Sequence, residues 1–463
     1  MKTSGSLREL DVRLLGEAMV SDEGAALVRV LCDTHGSRFA GSAQERRAGD
    51  FLLGRMRAWG LSRVHAEPFR FLGWRRGRRP TLQAVGPRRI SLEAIALPYC
   101  PPTRKGGIEL DVVSVGEGLP EDFRRMRREI RGRAVLATSE SPGYYPRWVH
   151  RAEKYARAVA LGARAFLFVN HYDGLLAPTG ALRFNRRAEI PGVGLSKETG
   201  LRLLRLADEG AVRIRLATHD RTLGLSSRNI VGELEGTERP GELVVVGGHY
   251  DGHDISQGAD DNAGGIAAVL EAARLLAPHR GALKRTVRFV CFGAEEVGLI
   301  GSEAYAERHA ADLPKVRLMV NVDGIGNSRG KGFDFHGWDE AKKPLLDLGR
   351  EMHETIGFAS RPSPYSDHFS FLARGVPNCG LGGVGGAPAG RGYGHTAADT
   401  VDKVSRADLR EAAALLARSL LRFANDPRWA LPHKPPREVR RMLDRFEIID
   451  VLRTEGSLPP PLR

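Results

Sequence analysis

Metal-binding and proton-moving side chains recur in the second half of the sequence. His249 and Asp251 are separated by one residue, Asp260 and Asp261 sit in a Gly-flanked loop, Glu295 and Glu296 are adjacent, Asp323 follows an apolar run, and His395 lies in a Gly-rich loop. Gathered in one site, these carboxylates would repel one another and resist ionising. Two divalent cations remove that penalty. Imidazole nitrogen and carboxylate oxygen without thiolate suit zinc, and cobalt or manganese less specifically. A metal pair roughly 3.5–4 Å apart also has a use, since it polarises a carbonyl and acidifies a water held between the ions. A nearby carboxylate that holds no metal can take that water's proton. Adjacent side chains point in different directions, so Glu295 and Glu296 can divide into a base and a ligand.

The surrounding runs supply a frame for these groups. Strands are expected at residues 243–248, 286–292 and 316–322, with helices at 264–276 and 302–308 between them. That alternation predicts an α/β fold, a mixed and largely parallel sheet flanked by helices. Ligands of such sheets bind outside the carboxyl ends of the strands. His249 and Asp251, Glu295 and Glu296, and Asp323 all fall just past such ends. Upstream, residues 7–65 read largely as helices. Short strands at 108–115, 134–138, 165–169 and 212–218, with a helix at 149–161, indicate a second, smaller α/β unit inserted into the chain. The expected organisation is an N-terminal helical part at 1–70, the insert at 71–225, the main domain at 226–427, and a Pro- and Arg-rich tail at 428–463 with one helix near 437–443.

The motifs resemble those of the M28 metallopeptidases. They are His249-Tyr250-Asp251, Gly258-Ala259-Asp260-Asp261-Asn262-Ala263-Gly264-Gly265, the Phe292–Ser302 segment around Glu295-Glu296, Asn321-Val322-Asp323, Ser366-Asp367-His368, and His395-Thr396-Ala397-Ala398-Asp399-Thr400. They occur in family order across about residues 240–402. The resemblance implies a zinc-exopeptidase, phosphorylase/hydrolase-like fold and two zinc ions per chain. His249 and Asp323 would hold one ion, Glu296 and His395 the other, and Asp261 would bridge them. Glu295 would be the base. Asp251 would fix the His249 ring, Asp399 that of His395, and the Asp261–Asn262 bond would be cis. His368 and Tyr393 would face substrate or support the ligands. Relatives often carry Tyr just before the last His, whereas here Gly394 takes that place and Tyr393 comes one earlier, which leaves the oxyanion donor open. Asp260 reads as loop solvation or a helix cap, and His253 and Asp254 as surface loop. Residues 130–136, 155–165 and 190–196 resemble a protease-associated (PA) domain, which implies a lid or an element controlling substrate access.

The implied activity is hydrolysis of the terminal peptide bond of a peptide substrate, with an aminopeptidase as the first expectation. A carboxypeptidase or dipeptidase could use the same metals. A rival from another class, an inactive binding or receptor protein on this scaffold, predicts lost ligands, yet all five ligands and the base are present. The formal charge of +14 comes from Arg scattered along the chain. Its densest runs, at 74–79 and 124–133, lack interleaved aromatics, so no nucleic-acid partner is expected. Cys32, Cys100, Cys291 and Cys379 are far apart and form no metal or redox pair. Neither a signal peptide nor a membrane span is read, and the expectation is cytoplasmic.

Overall fold

Val244, Val245 and Val246 are fully buried and form the middle of a sheet. Val244 and Val246 join one core with Ile266, Leu270 and Leu416. Val245 points the other way and joins Val290, Tyr305 and Phe371. A strand packed on both faces has no polar side to alternate with, so it reads as a continuous apolar run. The computed structural model describes residues 3–85, 89–208, 212–325, 331–384 and 392–463. In it, the strand Arg239–His249 lies inside an eight-stranded sheet. The strand order is Ser62–Arg75, Arg221–Leu234, Arg285–Phe292, Arg239–His249, Val316–Val322, Asn378–Gly383, Lys331–Asp334 and Gly357–Ala359. From Arg285–Phe292 through Asn378–Gly383 all neighbours are parallel. The flanking pairs include antiparallel ones, so the sheet is mixed.

The helix Gly264–Leu276 is covered by the sheet on one side and by the helix Arg406–Asn425 on the other. Among its residues only Arg274 escapes burial. This is why it is apolar nearly all round.

Strands between residues 81 and 217 form a second eight-stranded sheet. The ribbon of Ser62–Arg75 and Arg221–Leu234, antiparallel to the last pair Arg75 and Arg221, carries the chain out to this unit and back. The unit therefore interrupts the larger domain. The expected helical stretch to residue 65 ends earlier, because the helix Ala43–Ala58 stops and a strand begins at Ser62. Much of Ser62–Arg75 and the first half of Arg221–Leu234 are exposed or half-exposed, which blurs any apolar pattern there. The tail holds two helices rather than one, Pro436–Asp444 and Ile448–Glu455, both packed on neighbours.

Arg38 ties the first helical segment to the loop that follows the central strand. It is fully buried. Its guanidinium donates to the carbonyls of Tyr250 at 2.8 Å, Leu31 at 3.0 Å, Gly36 at 2.8 Å, Gln257 at 2.6 Å and Gly258 at 2.8 Å. Only the planar fork of arginine reaches all of these at once. Arg38→Lys should leave several buried carbonyls without a donor and cost about 3 kcal/mol or more, at roughly 1–3 kcal/mol per unsatisfied group. Denaturant unfolding checks this, and a cost below about 1 kcal/mol would contradict the tie.

Candidate metal centre

The parallel strands end together, and the candidate residues emerge there. His249 is the last residue of its strand. Glu295 and Glu296 follow the end of Arg285–Phe292, and Asp323 follows that of Val316–Val322. Asp261 lies in the single turn Ala259–Ala263 before the buried helix, and the Asp261–Asn262 bond is cis. The Asn262 side chain fills the gap between two strand ends, donating to the carbonyls of His249 at 3.2 Å and Val322 at 2.9 Å. His395 arrives from a loop after Asn378–Gly383, in a left-handed conformation with φ of 60°.

The donor atoms form two sets that share Asp261. His249 Nε2 lies 3.2 Å from Asp261 Oδ1 and 3.3 Å from Asp323 Oδ1. His395 Nε2 lies 3.1 Å from Asp261 Oδ2 and 3.3 Å from Glu296 Oε2. A tetrahedral ion with bonds of roughly 2.0–2.1 Å separates its donors by about 3.3–3.4 Å. These spacings therefore fit two tetrahedral cations, one on each oxygen of Asp261.

The charges in the cluster shift one another in opposite directions. Burial disfavours the His249 imidazolium, but the charges of Glu295 and Asp323 outweigh it and hold its pKa well above the ordinary value. Burial would also raise Asp261, yet its contacts with His249 and His395 hold it well below. For Glu295, burial and repulsion from Glu296, Asp323 and Asp367 prevail over His249 and push the carboxyl well above the ordinary range. Asp367 is fully buried nearby and is raised to about 7, chiefly by burial.

Other side chains orient the donors. Asp251 accepts the backbone N–H groups of Glu295 at 3.0 Å and Glu296 at 3.3 Å, and its Oδ1 lies 3.6 Å from His249 Nδ1. Ser366 donates to Asp323 at 2.6 Å and accepts from Asn321 at 2.7 Å. Asp399 was expected to hold the His395 ring. Instead its carboxylate accepts the backbone N–H groups of Ala259, Asp260 and Asp261 at 3.0, 2.8 and 3.2 Å, so it braces the turn carrying Asp261. The inserted unit holds His395, because Thr179 N–H donates to the His395 carbonyl at 2.8 Å and the Thr179 carbonyl faces Nδ1 at 3.3 Å.

Several expectations are corrected. His253 is not a surface residue; it is 2% exposed, with Nε2 2.8 Å from Glu296 Oε2. Its Gly- and Asp-rich neighbourhood gave no sign of burial. Asp254 is half-buried and takes a two-point ion pair from Arg76 at 2.6 and 2.9 Å, so part of the basic run at 74–79 serves an internal contact. His368 is buried away from the cavity, stacked on His336 at 3.7 Å with Nε2 2.9 Å from the Ser363 carbonyl. The Tyr393 side chain is 45% exposed, lies under the Lys403 ammonium, and does not line the cavity. The four cysteines are buried and free. Among the described residues no helix is long and apolar enough to cross a membrane.

Two sets of candidate metal donors at the strand ends of a mixed α/β sheet, with Glu295 lining the cavity beside them, fit the architecture of a metal-dependent hydrolase. Comparison with known proteins agrees. Residues 229–420 match the model of peptidase family M28, and residues 100–203 that of the PA domain. Mouse (Mus musculus) carboxypeptidase Q is 29% identical over 360 residues, covering 76% of this chain and 75% of that protein. Aminopeptidase YwaD of Bacillus subtilis (strain 168) is 28% identical over 397 residues, covering 83% and 81%. The solved structure of a peptidase M28 precursor from Shewanella amazonensis SB2B superposes with a TM-score of 0.79 at 24% identity, over 94% of this chain and 99% of that one. The segment 229–420 is thus similar to peptidase family M28, and the PA-domain match lies ahead of it in the chain.

A cavity of about 960 Å³ reaches Asp261, Asp323 and His395, and a smaller one beside the candidate metal centre, of about 290 Å³, is bounded by all three parts of the chain. The insert contributes His150, Arg151 and Phe184, the M28 region Leu299, Tyr365 and Phe369, and the tail Leu452 to Pro460. The tail lies beyond the family match, and Glu455 anchors it. The Glu455 carboxylate accepts from Tyr365 Oη at 3.0 Å and Ser457 Oγ at 3.1 Å, and its carbonyl accepts from Arg183 at 2.9 Å. Tyr365 in turn stacks on His150 of the insert at 4.2 Å. Burial, the largest influence, raises the Glu455 carboxyl from 4.5 to about 7. The folded state thus holds this proton more tightly than the unfolded chain. Its contribution to stability is full below pH 4.5 and is lost as pH rises through about 7. Glu455→Gln should therefore gain on the parent between pH 5 and pH 8 in thermal melts. A melting difference that does not change with pH would contradict this.

Proposed function

We propose that this chain is a zinc-dependent exopeptidase that hydrolyses the terminal peptide bond of peptides, acting at the amino end. The observation that carries the reading is the pair of donor sets joined through Asp261, with Glu295 lining the same cavity. His249 and Asp323 would hold one zinc ion, Glu296 and His395 the second, and Asp261 both. When bound, the two ions would polarise the scissile carbonyl, acidify the attacking water and stabilise the charge that develops on oxygen. The protein's own residues do the rest. Glu295 takes the water's proton and delivers it to the departing amine. Asp251 keeps Glu295 and Glu296 in their separate orientations by accepting both backbone N–H groups. Phe184, Leu299, Phe369 and Leu452 line the cavity with apolar surface for a substrate side chain.

Beyond the metal donors and Glu295, the carboxylates on the cavity wall are Glu303 and Glu455. Both are already engaged, Glu303 by a two-point ion pair from Arg374 and Glu455 by Tyr365 and Ser457, so the amino-end reading leans on the likeness to aminopeptidase YwaD. Carboxypeptidase activity is the second reading, and Arg151 and Arg463 on the same wall speak for it. The Arg151 guanidinium donates to the carbonyls of Ala181 and Thr179, each at 3.1 Å, which engages it within the insert.

Two measurements test this function. Peptides with a free amino end should be hydrolysed from that end with zinc present, and N-blocked peptides should resist. Cleavage of blocked peptides from the carboxyl end would instead establish the carboxypeptidase. Glu295→Gln should retain its metal and lose roughly 10²–10⁴-fold in kcat, the usual span for a general base. Near-parental turnover in that variant would remove Glu295 from the mechanism.

A further inference from the structure

His253, Glu296 and His395 bring donor atoms within 4.8 Å of one another, buried at the end of the sheet. On distance alone His253 would be a further ligand of the second metal. The geometry gives it a different role. His253 Nε2 is 2.8 Å from Glu296 Oε2, the length of a hydrogen bond, whereas the donor pairs around Asp261 are spaced at 3.1–3.3 Å. The His253 and His395 ring centroids are 4.2 Å apart at an interplanar angle of 75°. Two imidazoles on one tetrahedral ion, each bound at about 2.0–2.1 Å, would hold their centroids about 5 Å apart. Finally, His253 Nε2 lies 3.1 Å from Nδ1 of His395, while Nε2 of His395 is the nitrogen facing Asp261 and Glu296.

We propose that His253 is a positioning residue for the second metal: its Nε2–H donates to Glu296 Oε2 and fixes that carboxylate beside His395. In this assignment each hydrogen is directed at an oxygen, that of His253 at Glu296 and that of His395 at Thr179, and the 3.1 Å approach of the two ring nitrogens is not a hydrogen bond. A Glu296 that ligates a cation is ionised and can only accept, so the 2.8 Å contact requires the hydrogen on His253. His395 ligating through Nε2 carries its hydrogen on Nδ1, which faces the Thr179 carbonyl at 3.3 Å. Ligating carboxylates generally need such partners, and losing one costs about 10–100-fold in metal affinity.

The test uses the full chain, stripped with a chelator and titrated with Zn²⁺ by calorimetry, and separately with Co²⁺ followed by visible absorption. His253→Ala should leave the first equivalent unchanged and weaken the second by about 10–100-fold. Its Co²⁺ bands at full loading should match those of the parent, because no ligand is lost. His253→Gln, which keeps an N–H donor, should restore much of the second affinity. The first equivalent reports independently that each variant is folded. Loss of the second equivalent in both variants with altered Co²⁺ bands would make His253 a ligand and overturn the proposal. Parental binding in His253→Ala would overturn it by removing any role. The inference rests on the two-ion reading above. Uptake of one equivalent by the parent would refute that reading itself, whereas two equivalents in the parent with unchanged binding in His253→Ala would refute only the role of His253.

Discussion

Carboxylates crowded at the end of one sheet cannot all ionise without a matching positive charge. Asp251, Asp261, Glu295, Glu296, Asp323 and Asp367 converge there, most of them in part or wholly out of water. The consequence is written into the site. His249 is driven toward its protonated form despite burial, and Glu295 and Asp367 resist ionisation. Positive charge placed among these groups would relieve that repulsion. Two divalent ions on the two oxygens of Asp261 would supply that charge and free Glu295 to act as a base.

The rest of the fold holds this unfavourable arrangement in register. Parallel strands deliver His249, the Glu295-Glu296 pair and Asp323 to one edge, because successive parallel strands end on the same side. Backbone groups are then fixed by two further carboxylates: Asp399 secures the turn of Asp261, and Asp251 that of the glutamates. Arg38 pins the loop after His249 from outside. The insert is part of this support, since Thr179 pairs with His395 while His150 and Phe184 wall the cavity.

Where the sequence was legible, a local pattern carried the information. The Leu243–Val246 run announced a buried strand, and the polar residues just beyond it announced the site edge. The ribbon of Ser62–Arg75 and Arg221–Leu234 was not legible, because much of the first strand and the first half of the second are exposed or half-exposed. The strand Asn378–Gly383 is half glycine and offers no apolar signal. Arg38 and His253 are a different case. Each sits among Gly, Ser and Asp, which reads as solvated loop, and each is buried only because segments distant in sequence close over it. The helix at Ile448–Glu455 did have a signal, with Ile448, Ile449, Val451 and Leu452 at helical spacing, masked by its Pro- and Arg-rich surroundings. The resemblance named candidate ligands, but only the structure separates Asp399 as a backbone brace and His253 as a neighbour of Glu296.

The central claim is that Asp261 joins two cations at the strand ends. Anomalous diffraction at the zinc edge, from crystals of the zinc-loaded protein, tests it most directly. The account predicts two peaks roughly 3.5–4 Å apart. One should lie against His249 and Asp323 and the other against Glu296 and His395, each about 2 Å from a different oxygen of Asp261. A single peak, or two peaks of which Asp261 touches only one, would contradict it.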